Sequence, residues 1–70
     1  MLERLVDVIG DVGIIVTATT KWKDIGFDTD SLDMFCRVQV SDEFGKPFDG
    51  SDAGSTVGDL VKSINRALGV

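Results

Sequence analysis

The sequence contains no histidine and no tyrosine, and only one cysteine and one proline among its 70 residues. A single cysteine, Cys36, excludes an internal disulfide, and no cluster of residues has the spacing of zinc ligands. Histidine is the most frequent general base, and its absence leaves no residue suited to activate Cys36 or a serine as a nucleophile. These absences argue against an enzyme and against a fold stabilised by metal.

Long apolar runs are also missing, because no stretch approaches the roughly 18–20 residues needed to cross a bilayer. We therefore expect no membrane span. The unpaired cysteine and the lack of a signal peptide favour a reducing, cytoplasmic environment. A chain of 70 residues predicts one domain, residues 1–70, near the lower size limit for a stable core. Regular helices must then supply the stability. Met1, at the start of helix-forming sequence, favours a free-standing protein.

The charge is strongly negative, with a formal net charge of −5 and a pI of about 4.3. An acidic surface repels nucleic-acid phosphates, so we expect no nucleic-acid partner. It attracts proteins with basic patches and accelerates their encounter. We expect a soluble monomer that meets such proteins.

Three stretches have apolar residues at spacings of three and four, which is typical of amphipathic helices. The first covers residues 1 to about 12, with Gly13 as its stop. The second covers residues 31–44 and includes Cys36 in its apolar stripe, which predicts a buried, unreactive thiol. The third begins at Ser55 or Thr56, with an acidic residue placed for a capping box.

The connecting segments contain little regular structure. Residues 13–30 predict a long loop whose Val16 and Trp22 enter the core. Residues 22–25 suit a short turn, and residues 49–54 have room for one helical turn. No second strand is found, so the prediction is an all-α bundle of three main helices, a short helical turn and a long loop after the first helix.

The stretch Asp28-Thr29-Asp30-Ser31-Leu32-Asp33 lies between this loop and the second helix. Serine and aspartate are preferred helix caps, and carboxylates there complement the helix dipole. One interpretation is therefore a helix start without further function.

A second interpretation comes from a resemblance that extends over nearly the whole chain. Taken in order, its segments are similar to the acyl carrier protein family. The segments that carry the resemblance are Glu3-Arg4-Leu5, Val8-Ile9-Gly10, Val16-Thr17 with Trp22, Asp24-Ile25-Gly26, Asp30-Ser31-Leu32-Asp33, Asp42-Glu43-Phe44 with Phe48, and Thr56-Val57-Gly58-Asp59-Leu60-Val61.

The resemblance implies that Ser31 is the attachment point of a 4'-phosphopantetheine arm, transferred from coenzyme A by a phosphopantetheinyl transferase. The arm's thiol carries an acyl group as a thioester, for a fatty acid, lipid or polyketide type of biosynthesis. The partners implied are acyl-transferring, ligase or synthase enzymes with basic patches. Asp30 and Asp33 are expected to pair with their cations, and Leu32 and Met34 to supply apolar contacts.

The chain departs from the family in four places, one of which is a shorter segment before the last helix. Three residues, Phe27, Asp28 and Thr29, fill a gap where the family usually has one, so Thr29 offers a second position for attachment. The second helix is predicted to be one residue short. Arg37 stands where carriers of fatty acid synthesis usually have acidic residues, and it should repel a basic partner. We therefore expect a specialised carrier with one cognate synthase or ligase.

Two alternatives to an acyl carrier remain open. An enzyme is a third possibility and the weakest, because no metal site, phosphate-binding loop or nucleophile–base pair is found. A peptidyl or aminoacyl carrier would use the same arm on Ser31 for an amino acid. A small helical interaction module would have no prosthetic group, and Ser31 would only cap its helix.

Overall fold

Four helices and no strand form the fold in the computed structural model, which describes all residues, Met1–Val70. The predicted all-α architecture is thereby confirmed. The helices are α1 (Leu2–Ile9), α2 (Thr29–Phe35, continued by a π-helical turn Cys36–Val40 and by Ser41–Phe44), α3 (Gly50–Ala53) and α4 (Val57–Leu68). A 3₁₀ turn, Trp22–Ile25, interrupts the long loop after α1, as the sequence predicts.

Helix α1 is shorter than predicted. It ends at Ile9, because Gly10 adopts a φ of 82° and its N–H bonds to the carbonyl of Val6. Glycine reaches such positive φ values at little cost. The predicted stop at Gly13 is therefore wrong. Gly13 instead belongs to a turn in which its N–H donates to Asp11 Oδ1 at 2.9 Å.

Helix α2 begins two residues earlier than predicted, at Thr29, and Asp28 is its N-cap. Its middle turn is π-helical, a conformation that accommodates one extra residue. Ser41 Oγ donates to the Cys36 carbonyl at 2.9 Å and accepts the Phe48 N–H at 2.9 Å. The same hydroxyl therefore connects the widened turn to the segment that follows α2.

The core contains only apolar side chains, drawn from all four helices, from the 3₁₀ turn and from the segment between α2 and α3. The buried residues are Leu5, Trp22, Ile25, Leu32, Phe35, Cys36, Val40, Phe44, Phe48, Ala53, Val57, Leu60 and Ile64. No buried side-chain nitrogen or oxygen lacks a hydrogen-bond partner. Hydrophobic burial therefore stabilises the fold without a cost from unpaired side-chain polar groups in the core.

The long loop is held against the start of α4 by backbone hydrogen bonds. Gly58 N–H donates to the Ala18 carbonyl at 2.8 Å, and Val57 N–H donates to the Thr20 carbonyl at 2.9 Å. Trp22 is buried as predicted and donates its Nε1–H to the Ala53 carbonyl at 2.9 Å. These contacts fix the direction from which the chain enters α2. None of the helices is both long and apolar enough to span a bilayer.

The start of α4 matches the predicted capping box. Thr56 is the N-cap, and its Oγ1 accepts the Asp59 N–H at 3.3 Å. Asp59 Oδ2 in turn accepts the Thr56 N–H at 3.1 Å. Two of the amides that a helix leaves unpaired at its start are satisfied in this way.

We expect Gly58→Ala to destabilise the protein, although alanine is the better helix former. A Cβ at this position would lie 2.6 Å from the Ala18 carbonyl oxygen, which is backbone and already bound to the Gly58 N–H. Overpacking of this kind costs about 1–3 kcal/mol, more than the propensity gain of up to about 1 kcal/mol. Urea unfolding followed by circular dichroism measures the difference, with exposed Lys62→Ala as the control. Unchanged stability in Gly58→Ala would contradict the close approach of the loop.

Candidate functional site

The first turn of α2 contains a reciprocal pair of hydrogen bonds between Asp28 and Ser31. Asp28 Oδ1 accepts the Ser31 N–H at 2.7 Å, and Ser31 Oγ accepts the Asp28 N–H at 2.9 Å. This is a capping box in which serine takes the third helical position, where glutamate or glutamine is usual. The N-cap of α2 is therefore Asp28 and not Ser31, which the interpretation without a prosthetic group had treated as the cap. Ser31 nevertheless contributes to capping from inside the first turn.

The Ser31 side chain is exposed, although both of its polar functions have partners. The hydroxyl donates to the Asp28 carbonyl at 3.3 Å, an acceptor that also receives the Leu32 N–H at 3.0 Å. The backbone N–H of Ser31, with its side chain, holds the pKa of Asp28 below its usual range. The hydroxyl is therefore reachable from solvent and fixed in direction.

Thr29 is the second exposed hydroxyl of this turn. It is the first residue of α2 and directly follows the Asp28 cap, two residues after Phe27. Neither hydroxyl is buried, and any test of modification must include both.

Asp33 is not the free carboxylate that the sequence suggested. Its Oδ1 accepts the Gly50 N–H at the start of α3 at 2.8 Å, and its Oδ2 pairs with Arg37 Nε at 2.8 Å. The Gly50 N–H first, and then Arg37, hold the pKa of Asp33 below its usual range. Asp33 therefore links α2 to α3. Arg37 forms an ion pair with this carboxylate, and its side chain remains exposed at the surface.

The two predicted apolar contacts differ in their exposure. Leu32 is only 8% exposed and packs in the core, so it is not the surface contact that we expected. Met34 is 60% exposed, and Asp30 is also exposed. Of the four residues predicted to meet partners, Asp30 and Met34 are available at the surface, Leu32 is buried, and Asp33 is engaged within the chain.

An apolar groove next to Ser31 was not predicted. It has a volume of about 390 Å³ and lies between the end of α1 and the outer face of α2. Its lining consists of Ile9, Phe27, Ser31, Met34, Phe35, Val38 and Gln39. A sequence signal did exist, because Met34 and Val38 are four residues apart and therefore neighbours on a helix surface.

Cys36 lies on the opposite side of α2 and is fully buried. Burial, followed by the charge of Asp52, raises the pKa of its thiol to about 12. The thiolate is the reactive form of cysteine, so this residue is inert at neutral pH. No group of three or more acidic or cysteine side chains is arranged to hold a metal ion.

Four aspartates with lowered pKa values predict a loss of stability in acid. Asp28, Asp33, Asp49 and Asp59 accept hydrogen bonds from backbone amides at helix starts, and each has a pKa below its usual value. Their contribution is complete above the unfolded pKa of about 3.9 and is lost as pH falls through the lower folded values. The urea concentration at the midpoint of unfolding should therefore decrease as the pH is lowered below about 4.

The matched control for acid unfolding is the pair of substitutions Asp28→Asn and Asp49→Asn. Asparagine caps helices about as well as aspartate but does not titrate. The double variant should keep most of its stability at neutral pH and show a shallower fall in acid. An unchanged pH profile in the double variant would contradict the assignment of the acid sensitivity to these caps.

No protein-family model matches the chain, and no curated protein or solved structure matches it either. The evidence for a function therefore comes from the arrangement of the residues themselves.

Proposed function

We propose that the protein is an acyl carrier in which Ser31 bears a 4'-phosphopantetheine arm. The observation that carries the proposal is the Ser31 hydroxyl: it is exposed, held in the first turn of α2 and oriented by the Asp28 N–H. The all-α fold and the resemblance of the ordered segments to acyl carrier proteins support the same assignment. The arm, once bound, supplies a thiol that carries an acyl group as a thioester.

The local geometry fits an esterified Ser31. Esterification removes only the hydroxyl proton, whose acceptor, the Asp28 carbonyl, keeps the Leu32 N–H as a partner. The Ser31 oxygen retains lone pairs and continues to accept the Asp28 N–H. The capping box and the modification are therefore compatible, and α2 is not expected to unwind when the arm is attached.

Coenzyme A is the donor of the phosphopantetheine arm in the attachment step. Ser31 Oγ attacks the phosphorus next to the pantetheine group, forming a new O–P bond. The P–O bond of the diphosphate breaks and adenosine 3',5'-bisphosphate leaves, while the serine proton passes to a base of the transferase. Mg²⁺ in the transferase neutralises the phosphates. The carrier supplies only the hydroxyl and contributes no catalytic group.

Partner recognition in this proposal depends on Asp30 and Met34, the two predicted contacts that are exposed. Asp30 would pair with arginine or lysine on a transferase, synthase or ligase, and Met34 would supply a flexible apolar contact. The net charge of −5 would steer such basic partners towards the carrier. We place the protein in the cytoplasm, as a monomer serving fatty acid, lipid or polyketide synthesis.

The competing function is an unmodified helical interaction module. The reciprocal bonds between Asp28 and Ser31 favour it, because they give the serine a complete structural role. In that case Ser31 carries nothing, and a residue that preserves the cap preserves the function.

Intact-mass spectrometry after incubation with coenzyme A, Mg²⁺ and a broad-specificity phosphopantetheinyl transferase separates these functions. We expect the wild type and Thr29→Ala to gain one phosphopantetheine, and Ser31→Ala to gain none. Ser55→Ala is the matched control, since Ser55 is exposed and lies outside the first turn of α2. Absence of any gain in the wild type would overturn the carrier proposal and favour the interaction module.

A further inference from the structure

The sequence contains one Asp-Gly dipeptide, Asp49-Gly50, and no Asn-Gly dipeptide. An aspartate that precedes glycine is especially prone to spontaneous isomerisation, because glycine has no side chain to shield its nitrogen. Asp49 is the N-cap of α3, and Gly50 is the first residue of that helix. A chemically labile peptide bond therefore lies at the point where α3 contacts α2.

The close approach of α2 accounts for the glycine at this position. A Cβ on Gly50 would lie 3.1 Å from the Asp33 Cβ and 3.2 Å from the Asp33 Cα. These distances are shorter than the usual contacts of a Cβ, so either Asp33 or α3 would have to move. The packing of α3 on α2 thus favours glycine after Asp49 and brings the lability of the Asp-Gly bond with it.

Isomerisation of an Asp-Gly bond takes two steps and consumes no reagent other than water. The Gly50 nitrogen attacks Asp49 Cγ and forms a C–N bond, while the carboxyl hydroxyl leaves with the amide proton as water. A water molecule then opens the resulting succinimide ring by breaking one of its two C–N bonds. Opening at Cγ restores aspartate, whereas opening at the main-chain carbonyl leaves isoaspartate, with one extra methylene in the backbone.

Both reacting groups are held in other contacts in the folded chain. The Gly50 N–H donates to Asp33 Oδ1 at 2.8 Å, which directs it towards α2. Asp49 Oδ1 accepts the Ser51 N–H at 2.9 Å and also the Ser51 hydroxyl. The hydroxyl and the N–H of Ser51 hold the pKa of Asp49 below its usual range. An ionised carboxylate has no hydroxyl to lose as water, so the first step is disfavoured on both sides.

We propose that Asp33 protects the Asp49–Gly50 bond, and that this bond is where the protein isomerises when the contact between Asp33 and Gly50 opens. The Asp33 carboxylate holds the Gly50 amide and thereby keeps the nitrogen away from Asp49 Cγ. The other oxygen of Asp33 pairs with Arg37 Nε at 2.8 Å. This protection is independent of any group carried by Ser31, so it does not rest on the proposed carrier function.

Isomerisation would remove the contacts that hold the start of α3. The extra methylene would displace the Gly50 amide from Asp33 and the Asp49 carboxylate from Ser51. Helix α3 has only four residues, Gly50–Ala53, and a single helical turn is not stable without such partners. We therefore expect α3 to lose its packing on α2 in the isoaspartyl form.

The test is a prolonged incubation of the folded protein at neutral pH. Isoaspartate is quantified by methylation with a protein isoaspartyl methyltransferase and is located by electron-transfer fragmentation. We expect Asp33→Ala to isomerise at Asp49 about tenfold faster than the wild type, the factor expected for loss of a hydrogen bond to a charged group. Arg37→Ala is the control, because it breaks the ion pair of Asp33 but leaves the acceptor of the Gly50 N–H.

Asp33→Asn is the conservative variant, since its amide oxygen offers the same acceptor to Gly50. Both Asp33→Asn and Arg37→Ala should isomerise at rates closer to the wild type than to Asp33→Ala. Circular dichroism checks that each variant is folded. Sucrose is added to all samples if Asp33→Ala requires it, because excluded osmolytes favour the folded state.

The wild type in guanidinium chloride gives the rate without protection. A folded wild type that isomerises at Asp49 as fast as the unfolded chain would overturn the proposal. A folded Asp33→Ala protein with the wild-type rate would overturn the role of Asp33. Isoaspartate found at another aspartate, and not at Asp49, would overturn the assignment of the site.

Discussion

Trp22→Ala is expected to lower the free energy of unfolding by about 3–5 kcal/mol, the usual cost of truncating a buried aromatic residue. Trp22 is 3% exposed, and its ring packs edge-on against Phe27 with centroids 5.4 Å apart. It also approaches Phe35, with centroids 6.2 Å apart. The residue thus joins the long loop to the first half of α2.

This loss is large relative to the total free energy of unfolding of the domain. A domain of 70 residues has a total stability of roughly 4–10 kcal/mol at about 0.05–0.15 kcal/mol per residue. Trp22→Ala should therefore be close to unfolding at room temperature. Urea unfolding followed by far-ultraviolet circular dichroism measures this without relying on tryptophan fluorescence.

Trp22→Phe is the control that separates packing from hydrogen bonding. It keeps an aromatic ring but removes the Nε1–H that donates to the Ala53 carbonyl at 2.9 Å. Leaving that buried acceptor without its donor costs about 1–3 kcal/mol, less than the alanine substitution. Wild-type stability in Trp22→Ala would show that the loop does not depend on this anchor.

Ser31→Gln is expected to abolish phosphopantetheine attachment while preserving the start of α2. Glutamine is a usual residue at the third position of a capping box, where its side chain reaches back to the N-cap amide. Ser31→Ala also loses the attachment hydroxyl, but it leaves the Asp28 N–H without its acceptor. We expect it to be less stable by about 0.5–1.5 kcal/mol, the net value of a typical hydrogen bond.

The two Ser31 variants together distinguish the role of Ser31 in attachment of the arm from its role in capping α2. Modification should be absent in both, whereas the urea midpoint should fall in Ser31→Ala and stay near the wild-type value in Ser31→Gln. Thr29→Ala retains the Asp28–Ser31 pair and should keep modification. A Ser31→Gln protein that still gains the arm would move the attachment point away from Ser31.

Local signals allowed the sequence to predict part of the fold. The start of α4 was predictable because Thr56 and Asp59 are three residues apart and complete their capping box without help from other elements. The burial of Cys36 followed from the period of the apolar residues in α2.

The start of α2 was not predictable in the same way. Asp28, Asp30 and Ser31 are all favoured capping residues, so local preference alone does not choose among them. Phe27, which precedes the actual cap, packs against Phe35 with ring centroids 5.0 Å apart. This contact, together with the one to Trp22, fixes where the chain turns into the helix.

The candidate site depended even more on distant contacts. Asp33 is engaged by Gly50, which is 17 residues away, and no periodicity reveals such a pairing. The resemblance suggested Leu32 as a surface contact, yet Leu32 lies four residues before Cys36 on the same apolar stripe and is buried. The groove required Ile9 of α1 to lie beside Met34 and Val38, which only the packing of α1 on α2 determines.

Tandem mass spectrometry of the modified peptide tests the central claim most directly. The wild-type protein is reacted with coenzyme A and a phosphopantetheinyl transferase and then digested. Fragmentation of the modified peptide between residues 29 and 31 distinguishes an arm on Thr29 from an arm on Ser31, the two exposed hydroxyls in the first turn of α2. The account predicts the phosphopantetheine on Ser31. An arm on Thr29, or no modified peptide from fully folded protein, would contradict it.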